Sequence, residues 1–308
     1  MKTVVTGGAG FIGSHIVDAL VKRGDDVVVA DDLSRGKAEQ VNPAARLTVV
    51  DIRSAAFAQL IADTAPDVVF HLAAQMDVRR SVREPLLDTE INVLGIVNLL
   101  AACVAAKVRR VIFASSGGAL YGDTDVLPTP EDHPVHPESV YGAAKYASEL
   151  YGEVFTRMHG LEFVALRYGN VYGPRQDPHG EAGVVAIFAQ QLLAGARASV
   201  TGDGKQTRDY VYIDDVVAAN MAAIDCPAGA FNIGTSRAVD VNMIYTLIAR
   251  ACGVDTAADH GPARPGEQRR SCLAIGSAAS ALGWRPQITL EEGIPATVDF
   301  FRTAAVTV

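Results

Sequence analysis

Two polar pairs in the sequence have the residue types and the spacing of an acid–base centre. Ser115 and Ser116 follow a strongly apolar run, and Tyr141 and Lys145 lie four residues apart in a predicted helix. Residues at i and i+4 are neighbours on one helical face. A free tyrosine titrates at about pH 10, but an adjacent ammonium ion favours the phenolate. Such a tyrosine could exchange a proton with a substrate hydroxyl.

A Tyr and a Lys at this spacing also occur by chance on ordinary exposed helices. The position of the pairs in the fold therefore decides whether they are catalytic. The serines end the predicted strand 109–115, and the helix is predicted over 139–159. Open α/β sheets bind ligands at the carboxyl ends of their strands. We therefore expect the two pairs to meet at that edge.

A glycine-rich turn near the N-terminus predicts a dinucleotide site. Gly7, Gly10 and Gly13 lie between the predicted strand 2–6 and the predicted helix 11–23. Glycines permit a tight turn and a close approach of backbone to a pyrophosphate, and the helix N-terminus supplies N–H donors. Their spacing, G-x-x-G-x-x-G, is a weak signal alone, and a flexible turn is the alternative.

Asp31 makes NAD the predicted dinucleotide. It ends the second predicted strand, 26–31, about 20 residues after the glycine turn, where an acid accepts hydrogen bonds from ribose hydroxyls. A carboxylate there repels the 2′-phosphate of NADP, although nearby Arg35 works against this preference. Asp32 is a further predicted contact, with a solvated or turn-capping role as the alternative.

The ends of the next strands complete the predicted NAD site. Asp51 follows a strand at 47–50, where it could meet the adenine amino group or cap the next helix. His71, after a strand at 67–70, is expected to be structural. The predicted cofactor contacts are Gly7, Gly10, Phe11, Ile12, Gly13, Asp31, Asp32, Asp51, Ile52, Leu72, Ala73, Ala74, Asn92, Ser115, Tyr141, Lys145 and Tyr168.

The elements that must position these residues alternate along the chain, which predicts an α/β fold with a doubly wound parallel (Rossmann) sheet. The runs Val27–Ala30, Val68–Phe70 and Val111–Ala114 are continuously apolar, as strands covered on both faces should be. The predicted domains are residues 1–168, which bind the dinucleotide, and residues 169–308, a smaller mixed α/β substrate lobe. A helix and strand near 210–233 could also pack on the first domain. Predicted strands lie at 2–6, 26–31, 47–50, 67–70, 109–115, 162–167, 198–201 and 210–213, and predicted helices at 11–23, 54–64, 86–107, 139–159, 183–195, 215–225 and 290–303.

Composition excludes several other functional classes. The net charge of −8 argues against nucleic-acid and anionic-membrane partners, which select a positive surface. The four cysteines are widely spaced and have no zinc-site pattern, so we expect no metal and a cytoplasmic protein. Met1 leads directly into a strand, which indicates no signal peptide. The apolar stretches are shorter than the roughly 18 residues of a membrane span.

Several motifs together resemble the extended short-chain dehydrogenase/reductase family, and within it the group of nucleotide-sugar epimerases and dehydratases. They are the glycine turn, Tyr141-Gly-Ala-Ala-Lys145, and blocks at 167–175, 202–212 and 232–234. The resemblance implies that Tyr141 is the acid/base, that Lys145 lowers its pKa and holds the nicotinamide ribose, and that Ser116 bonds the substrate. Ser115 is the competing assignment, because the stretch 115–122 is one residue longer than in some relatives.

The resemblance also implies how a negatively charged protein binds a UDP-sugar. Arg208 and Arg264 would each offer a fork of donors to the diphosphate, although Arg208 could instead pair with Asp209 or Asp214. The implied substrate contacts are Ser116, Gly117, Asn170, Arg175, Arg208 and Arg264. Arg175 could equally order its loop.

Two further implications of the resemblance concern specificity and assembly. Ser271 falls where family members restricted to non-acetylated sugars carry a bulky tyrosine, which would leave room for an N-acetyl group. A homodimer through helices 86–107 and 141–159 is expected, although a core-facing stripe would explain their apolar residues nearly as well.

The implied reaction is 4-epimerisation of a UDP-hexose, with UDP-glucose and UDP-galactose as the expected pair. Gly117 and Gly118 stand where dehydratases of the family carry an additional acid, which disfavours dehydration. Epimerisation of a uronic acid sugar is the nearest alternative, with Arg79, Arg80 or Arg175 on its carboxylate. A GDP- or dTDP-sugar epimerase or reductase, and a non-catalytic NAD-sensing protein, also stay open.

Overall fold

Strands and helices alternate through the first part of the chain. The computed structural model describes residues 1–178, 183–263 and 268–306. Its first elements are β1 (Lys2–Thr6), α1 (Phe11–Arg23), β2 (Asp26–Asp31), β3 (Arg46–Val49), α2 (Ala55–Thr64), β4 (Val68–His71), α3 (Val78–Arg83), α4 (Pro85–Thr89), α5 (Gly95–Ala105), β5 (Arg110–Ser116), α6 (Gly117–Leu120), α7 (Val140–His159) and β6 (Glu162–Tyr168). The later elements are β7 (Asn170–Tyr172), α8 (Val184–Leu193), β8 (Ser199–Thr201), β9 (Thr207–Tyr212), α9 (Ile213–Ala222), β10 (Gly229–Ile233), β11 (Ala238–Asp240), α10 (Val241–Cys252), β12 (Asp259–Gly261), α11 (Gly276–Ala281) and α12 (Leu290–Val306).

The main sheet has seven parallel strands in the order β10-β6-β5-β4-β1-β2-β3. Successive strand residues point to opposite faces. Val4 and Val5 of the central strand are both 0 % exposed, so helices cover both faces of the sheet. The predicted doubly wound fold is confirmed. All carboxyl ends of these strands therefore lie along one edge.

A smaller mixed lobe carries the remaining strands. One sheet has the order β11-β9-β7, with β11 antiparallel to β9, and a second pairs β12 with β8. The lobe has its own core, formed by residues that include Phe188, Tyr212, Ile244 and Ile294. β10 returns to the main sheet and pairs with β6, and α9 packs against α1. The division at residue 168 stays a prediction.

The predicted helix 86–107 begins and ends earlier and is not uniformly α-helical. Helical structure runs from Pro85 to Ala105, and a π-helical turn, Glu90–Leu94, joins α4 to α5. π-Turns inside α-helices are rare and occur often at functional sites. The hydrophobic period of the sequence cannot reveal such a turn, because one extra residue changes the period only locally.

The same helix corrects the expectation about membrane spans. By length and composition alone, Pro85–Ala105 is apolar enough to cross a membrane, and it is the one such helix in the described part of the chain. Counting uninterrupted apolar residues missed it, because Asn and acidic residues interrupt the run. Ile96, Leu99 and Leu100 are fully buried in the core of the sheet domain, and core helices pass the same test.

The sequence interpretation left out one long helix in the lobe. α10 begins after Asp240, whose carboxylate accepts a hydrogen bond from Met243 N, and ends at the left-handed Gly253. Both are ordinary helix boundary signals. The short helices α3 and α11 and the strands β7, β11 and β12 were also missed. They are too short to leave a clear periodic pattern in the sequence.

Candidate active site

The glycine turn forms a cradle that no larger residues could build. Gly7 has a left-handed φ of +69°, and a Cβ there would lie 2.6 Å from Ala73 N. A Cβ on Gly13 would lie 2.2 Å from the Gly7 carbonyl oxygen. Gly10 is the N-cap of α1, so the first N–H groups of the helix, including those of Phe11 and Ile12, face the turn without intrahelical partners. This arrangement fits a pyrophosphate.

Asp31 connects the end of β2 to this cradle. Its Oδ2 accepts a hydrogen bond from Ala9 N at 3.0 Å, and its Oδ1 accepts one from Leu33 N at 2.9 Å. The side chain is buried, and burial raises its pKa. A carboxylate fixed beside the glycine turn fits the ribose of an adenosine. Asp32 is exposed and accepts hydrogen bonds from Ser34 N and Oγ, as a turn-capping residue does.

Asp51 does not cap the next helix. Ser54 is the N-cap of α2 and accepts from Phe57 N at 3.2 Å. The Asp51 carboxylate instead accepts from Arg53, and this bond lowers its pKa. Neighbouring Ile52 is buried under α5, where a Cβ on Gly95 would lie 2.7 Å from Ile52 Cδ1.

The segment after β4 lies directly against the glycine turn. Leu72 N donates to Thr6 O at 3.0 Å, and Ala73 forms the close contact with Gly7 described above. Ala74 follows in the same extended segment. His71 is buried and bonds Thr6 Oγ1 through Nδ1 at 2.7 Å, and burial lowers its pKa to about 3. It is therefore a neutral, structural histidine.

Asn92 holds this segment from the π-helical turn. Its Oδ1 accepts from Gln75 N at 2.9 Å, and its Nδ2 donates to Gln75 O at 2.8 Å and to Asp88 Oδ1 at 3.0 Å. Gln75 Nε2 also donates to Asp88 Oδ1, at 2.9 Å. All three side chains are buried. The amide of Asn92 thus contacts backbone at the end of β4.

Ser116, Tyr141 and Lys145 come together at the carboxyl edge of β5. Ser139 caps α7 by accepting from Gly142 N, so the helix starts at Val140, one residue before Tyr141. Burial and the charge of Asp88 raise the pKa of Tyr141, whereas the nearby Ser116 side chain lowers it. Ser116 of the first pair thus lies beside the tyrosine of the second.

Lys145 lies buried one turn after Tyr141. Its Nζ donates to Ala114 O at 2.7 Å and lies 4.6 Å from the centre of the Phe113 ring and 5.7 Å from that of Tyr141. Burial lowers its pKa to about 8, while the carboxylates of Asp88 and Glu149 act in the opposite direction. At neutral pH the side chain is an ammonium ion beside the tyrosine.

Ser115 points away from this group. Its hydroxyl donates to Glu149 Oε1 at 2.5 Å, and Glu149 also pairs with Arg167 at 2.6 Å. Ser115 is buried, whereas Ser116 is half-buried. Neither Glu149 nor Arg167 was among the predicted site residues. The sequence spacing could have revealed Glu149, because it lies four residues after Lys145 and so on the same helical face as Tyr141 and Lys145.

The predicted substrate residues lie on both sides of this edge. Gly117 starts α6, and Asn170 Oδ1 lies 3.9 Å from where a Cβ on Gly118 would be. Arg208 lies on β9 and donates to Thr207 O at 2.8 Å. Tyr168 ends β6, and its buried hydroxyl bonds Asn220.

The structure gives no substrate-side position for two of the predicted arginines, Arg175 and Arg264. Arg175 has a left-handed φ of 66° and pairs with Asp18 of α1 at 2.7 Å, so it ties its loop to that helix. Arg264 lies outside the described residues. No group of three or more His, Cys, Asp or Glu side chains in residues 1–178, 183–263 and 268–306 could hold a metal ion.

The fold and the site together define the class: a Rossmann-fold protein with a glycine cradle for a dinucleotide and a tyrosine–lysine pair at the carboxyl edge of its sheet. A model of the NAD dependent epimerase/dehydratase family matches residues 3–234, and the chain belongs to this family. The predicted use of NAD and the predicted family are confirmed by this membership.

Relatives with full-length similarity are epimerases. The chain is 47 % identical to a UDP-glucose 4-epimerase of Mycolicibacterium smegmatis, over 98 % of this chain and 99 % of the relative. Its structure is similar to that of a UDP-glucose 4-epimerase with UDP-glucose from Thermotoga maritima, with a TM-score of 0.97, 46 % identity and coverage of 99 % and 100 %. A Thermus thermophilus UDP-glucose 4-epimerase in complex with NAD gives a TM-score of 0.95 at 43 % identity, with coverage of 99 % and 100 %.

Proposed function

We propose that this chain is an NAD-dependent UDP-glucose 4-epimerase that interconverts UDP-glucose and UDP-galactose. The observation that carries the proposal is the contact of Ser116 with Tyr141, one helical turn before the buried Lys145, at the sheet edge beside the glycine cradle. The names of the full-length relatives support the choice of substrate.

Tyr141 acts as the base in the forward direction. It removes the proton of the sugar 4-hydroxyl, with Ser116 hydrogen-bonded to the reacting oxygens and the Lys145 ammonium stabilising the phenolate. When bound, NAD would supply the hydride acceptor and donor for C4. The glycine turn, Asp31 and the segment 72–74 would hold the cofactor.

Tyr141 then acts as the acid. The 4-keto sugar turns over in the site, so that the opposite face of C4 receives the hydride, and Tyr141 returns the proton to the oxygen. The diphosphate must stay bound while the sugar turns. Arg208, Arg264 and Asn170 are proposed to hold it, since forked donors suit a diphosphate.

The absence of a carboxyl group at Gly117 and Gly118 favours epimerisation over dehydration. These two glycines follow the serines at the end of β5, where a dehydratase of the family carries an additional acid. The site as built thus supports oxidation and reduction at one carbon and offers no second acid to expel a hydroxyl.

The N-acetylated UDP-hexoses are a second pair of substrates that the site favours. Ser271 is buried, and its backbone N–H donates to Thr207 O, next to Arg208 on β9. A small side chain here leaves volume next to the sugar. We propose that the pocket accepts both plain and N-acetylated sugars.

The proposed assembly is a cytoplasmic homodimer. α7 exposes a row of apolar side chains at i, i+4 and i+8, and the helix that includes α4 and α5 exposes more; the exposed side chains are Leu150, Val154, Met158, Leu86 and Leu94. Exposed apolar stripes on adjacent helices suit a four-helix interface. Cys103, Cys226 and Cys272 are buried, free thiols, as in a reducing compartment.

Incubation with single UDP-sugars tests the proposal. Purified protein without added NAD is mixed with UDP-galactose, UDP-N-acetylgalactosamine or UDP-glucuronate, and the products are identified by NMR. The proposal expects the 4-epimers of the first two and no turnover of UDP-glucuronate. A parallel sample with added NAD that forms NADH without an isomer would indicate a dehydrogenase instead, and turnover of UDP-glucuronate alone would indicate a uronic acid epimerase.

A further inference from the structure

Asp88 is a buried carboxylate that forms no ion pair within the described residues. The side chain is 0 % exposed. Its Oδ1 accepts hydrogen bonds from the neutral amides of Gln75 and Asn92, at 2.9 and 3.0 Å. Its Oδ2 has no hydrogen-bond partner in the described part of the chain. A buried charge is costly unless an opposite charge compensates it, so this carboxylate needs a counter-charge nearby.

Lys145 is a candidate for that counter-charge, because Asp88 raises its pKa. α4, which carries Asp88, packs against α7, which carries Lys145. Ser148, three residues after Lys145, donates to Asn92 O at 3.0 Å, and Asn92 in turn bonds Asp88. The two helices are therefore fixed to each other at the level of the catalytic lysine.

The other groups that face Lys145 cannot supply a net negative charge at neutral pH. Glu149 is neutralised by Arg167 of β6 at 2.6 Å. His71 of β4 is neutral because its pKa is lowered to about 3, and the raised pKa of Tyr141 keeps this side chain a phenol. β5 contributes only the Ala114 carbonyl and the Phe113 ring. By elimination among these groups, Asp88 carries the uncompensated charge.

We propose that Asp88 is a positioning residue that acts through Lys145: its unpaired carboxylate keeps the buried lysine an ammonium ion. This inference rests on the proposed function in one respect, namely that the Lys145 ammonium ion takes part in catalysis. Burial lowers the pKa of Lys145 to about 8, close to neutral pH, and Asp88 opposes this shift more strongly than Glu149 does. Loss of that charge would bring the pKa toward neutrality, where much of the lysine would lose its proton.

The direct test is the pKa of Lys145 itself in the NAD-bound enzyme, measured by NMR titration of isotope-labelled lysine Nζ. The signal is assigned by its loss in Lys145→Met. We expect Asp88→Asn to lower this pKa by about one unit, which corresponds to a tenfold change in the ratio of charged to neutral lysine. Asp63→Asn is the matched control, because Asp63 is exposed and likewise accepts from a neutral amide, Gln59 Nε2.

The pH profile of turnover supplies the second readout. Asp88 raises the pKa of both Tyr141 and Lys145, so Asp88→Asn should move both limbs of the kcat profile to lower pH, whereas a purely structural defect lowers the whole profile without moving it. Asp88→Leu is measured as well, in case the asparagine variant does not fold. An unchanged Lys145 pKa in a folded variant overturns the proposal. If the pKa falls but Lys145→Met turns over normally, the charge relationship stands and the catalytic role of Lys145 fails.

Discussion

The hydroxyl of Ser115 donates to Glu149 over 2.5 Å, while the side chain of the next residue, Ser116, lies near enough to the Tyr141 phenol to lower its pKa. Successive residues of a strand point in opposite directions, so the two serines cannot share one task. Ser115 fastens the end of β5 to α7, and Ser116 lies beside the catalytic tyrosine. This relationship favours Ser116 as the residue that contacts the sugar.

Replacing each serine by alanine separates these tasks. Ser116→Ala should lower kcat by about 10²-fold with little change in melting temperature, because it removes one donor at the reacting oxygen. Ser115→Ala should lower stability by about 2 kcal/mol, because it removes a hydrogen bond to a buried carboxylate, and should leave most of kcat. Steady-state kinetics and thermal unfolding of both variants check this. A larger loss of kcat in Ser115→Ala would reverse the assignment.

Tyr141→Phe should remove turnover while leaving the cofactor in place. The substitution deletes only the phenol oxygen that exchanges the proton, and the ring and its contact with Lys145 remain. We expect kcat to fall by at least about 10³-fold. The NAD content of the purified protein, released by denaturation and assayed enzymatically, should equal that of the parent. Surviving activity would mean that another group moves the proton.

Gly13→Ala should abolish retention of NAD. A Cβ there would lie 2.2 Å from the Gly7 carbonyl oxygen, so the turn that cradles the pyrophosphate must shift. Gly276→Ala is the matched control, because nothing lies within 4 Å of its added Cβ. Both proteins are purified in parallel, and their bound NAD is quantified. A Gly13→Ala protein that keeps its NAD would place the cofactor elsewhere.

His71 should make the protein sensitive to acid. Burial lowers its pKa from 6.5 to about 3, so between these values the unfolded chain binds a proton that the folded chain does not. Stability is then fully present above pH 6.5 and is lost as the pH falls toward 3, by about 1.4 kcal/mol for each unit. His71→Asn should flatten this slope in urea unfolding between pH 7 and pH 5. His159→Asn, at an exposed position, should retain it.

Met158→Glu should disrupt the proposed dimer. Met158 is 70 % exposed at the end of the apolar row on α7, and a carboxylate there would be buried without a partner in a helix-pair interface. Light scattering after size exclusion should report a dimer for the parent and a monomer for the variant. Lys22→Glu on α1, outside the proposed interface, is the control for added charge. A parent that is monomeric at micromolar concentration would exclude this assembly.

The main sheet was predictable because strands buried on both faces are continuously apolar and because glycine, Asp31 and the serines mark their carboxyl ends. The catalytic pair was predictable from helical spacing. The smaller lobe was less so, since strands such as Ala238–Asp240 take their conformation from pairing with β9 rather than from their own sequence.

The buried charges around Lys145 could not be predicted from the sequence. Asp88 is in a stretch with exposed Leu86 and Glu90, and nothing in its spacing shows that it points inward. Its burial depends on the loop after β4 folding back onto the π-helical turn through Gln75 and Asn92. Such a contact joins residues that are distant in sequence, and no local pattern encodes it.

The central claim is that one carbon of the sugar loses and regains the same hydrogen within the protein. UDP-galactose carrying deuterium at C4 is incubated with the purified protein in ordinary water without added cofactor, and the product is analysed by NMR and mass spectrometry. The expected product is UDP-glucose that retains deuterium at C4. Loss of the deuterium to water, or the absence of the 4-epimer, would contradict it.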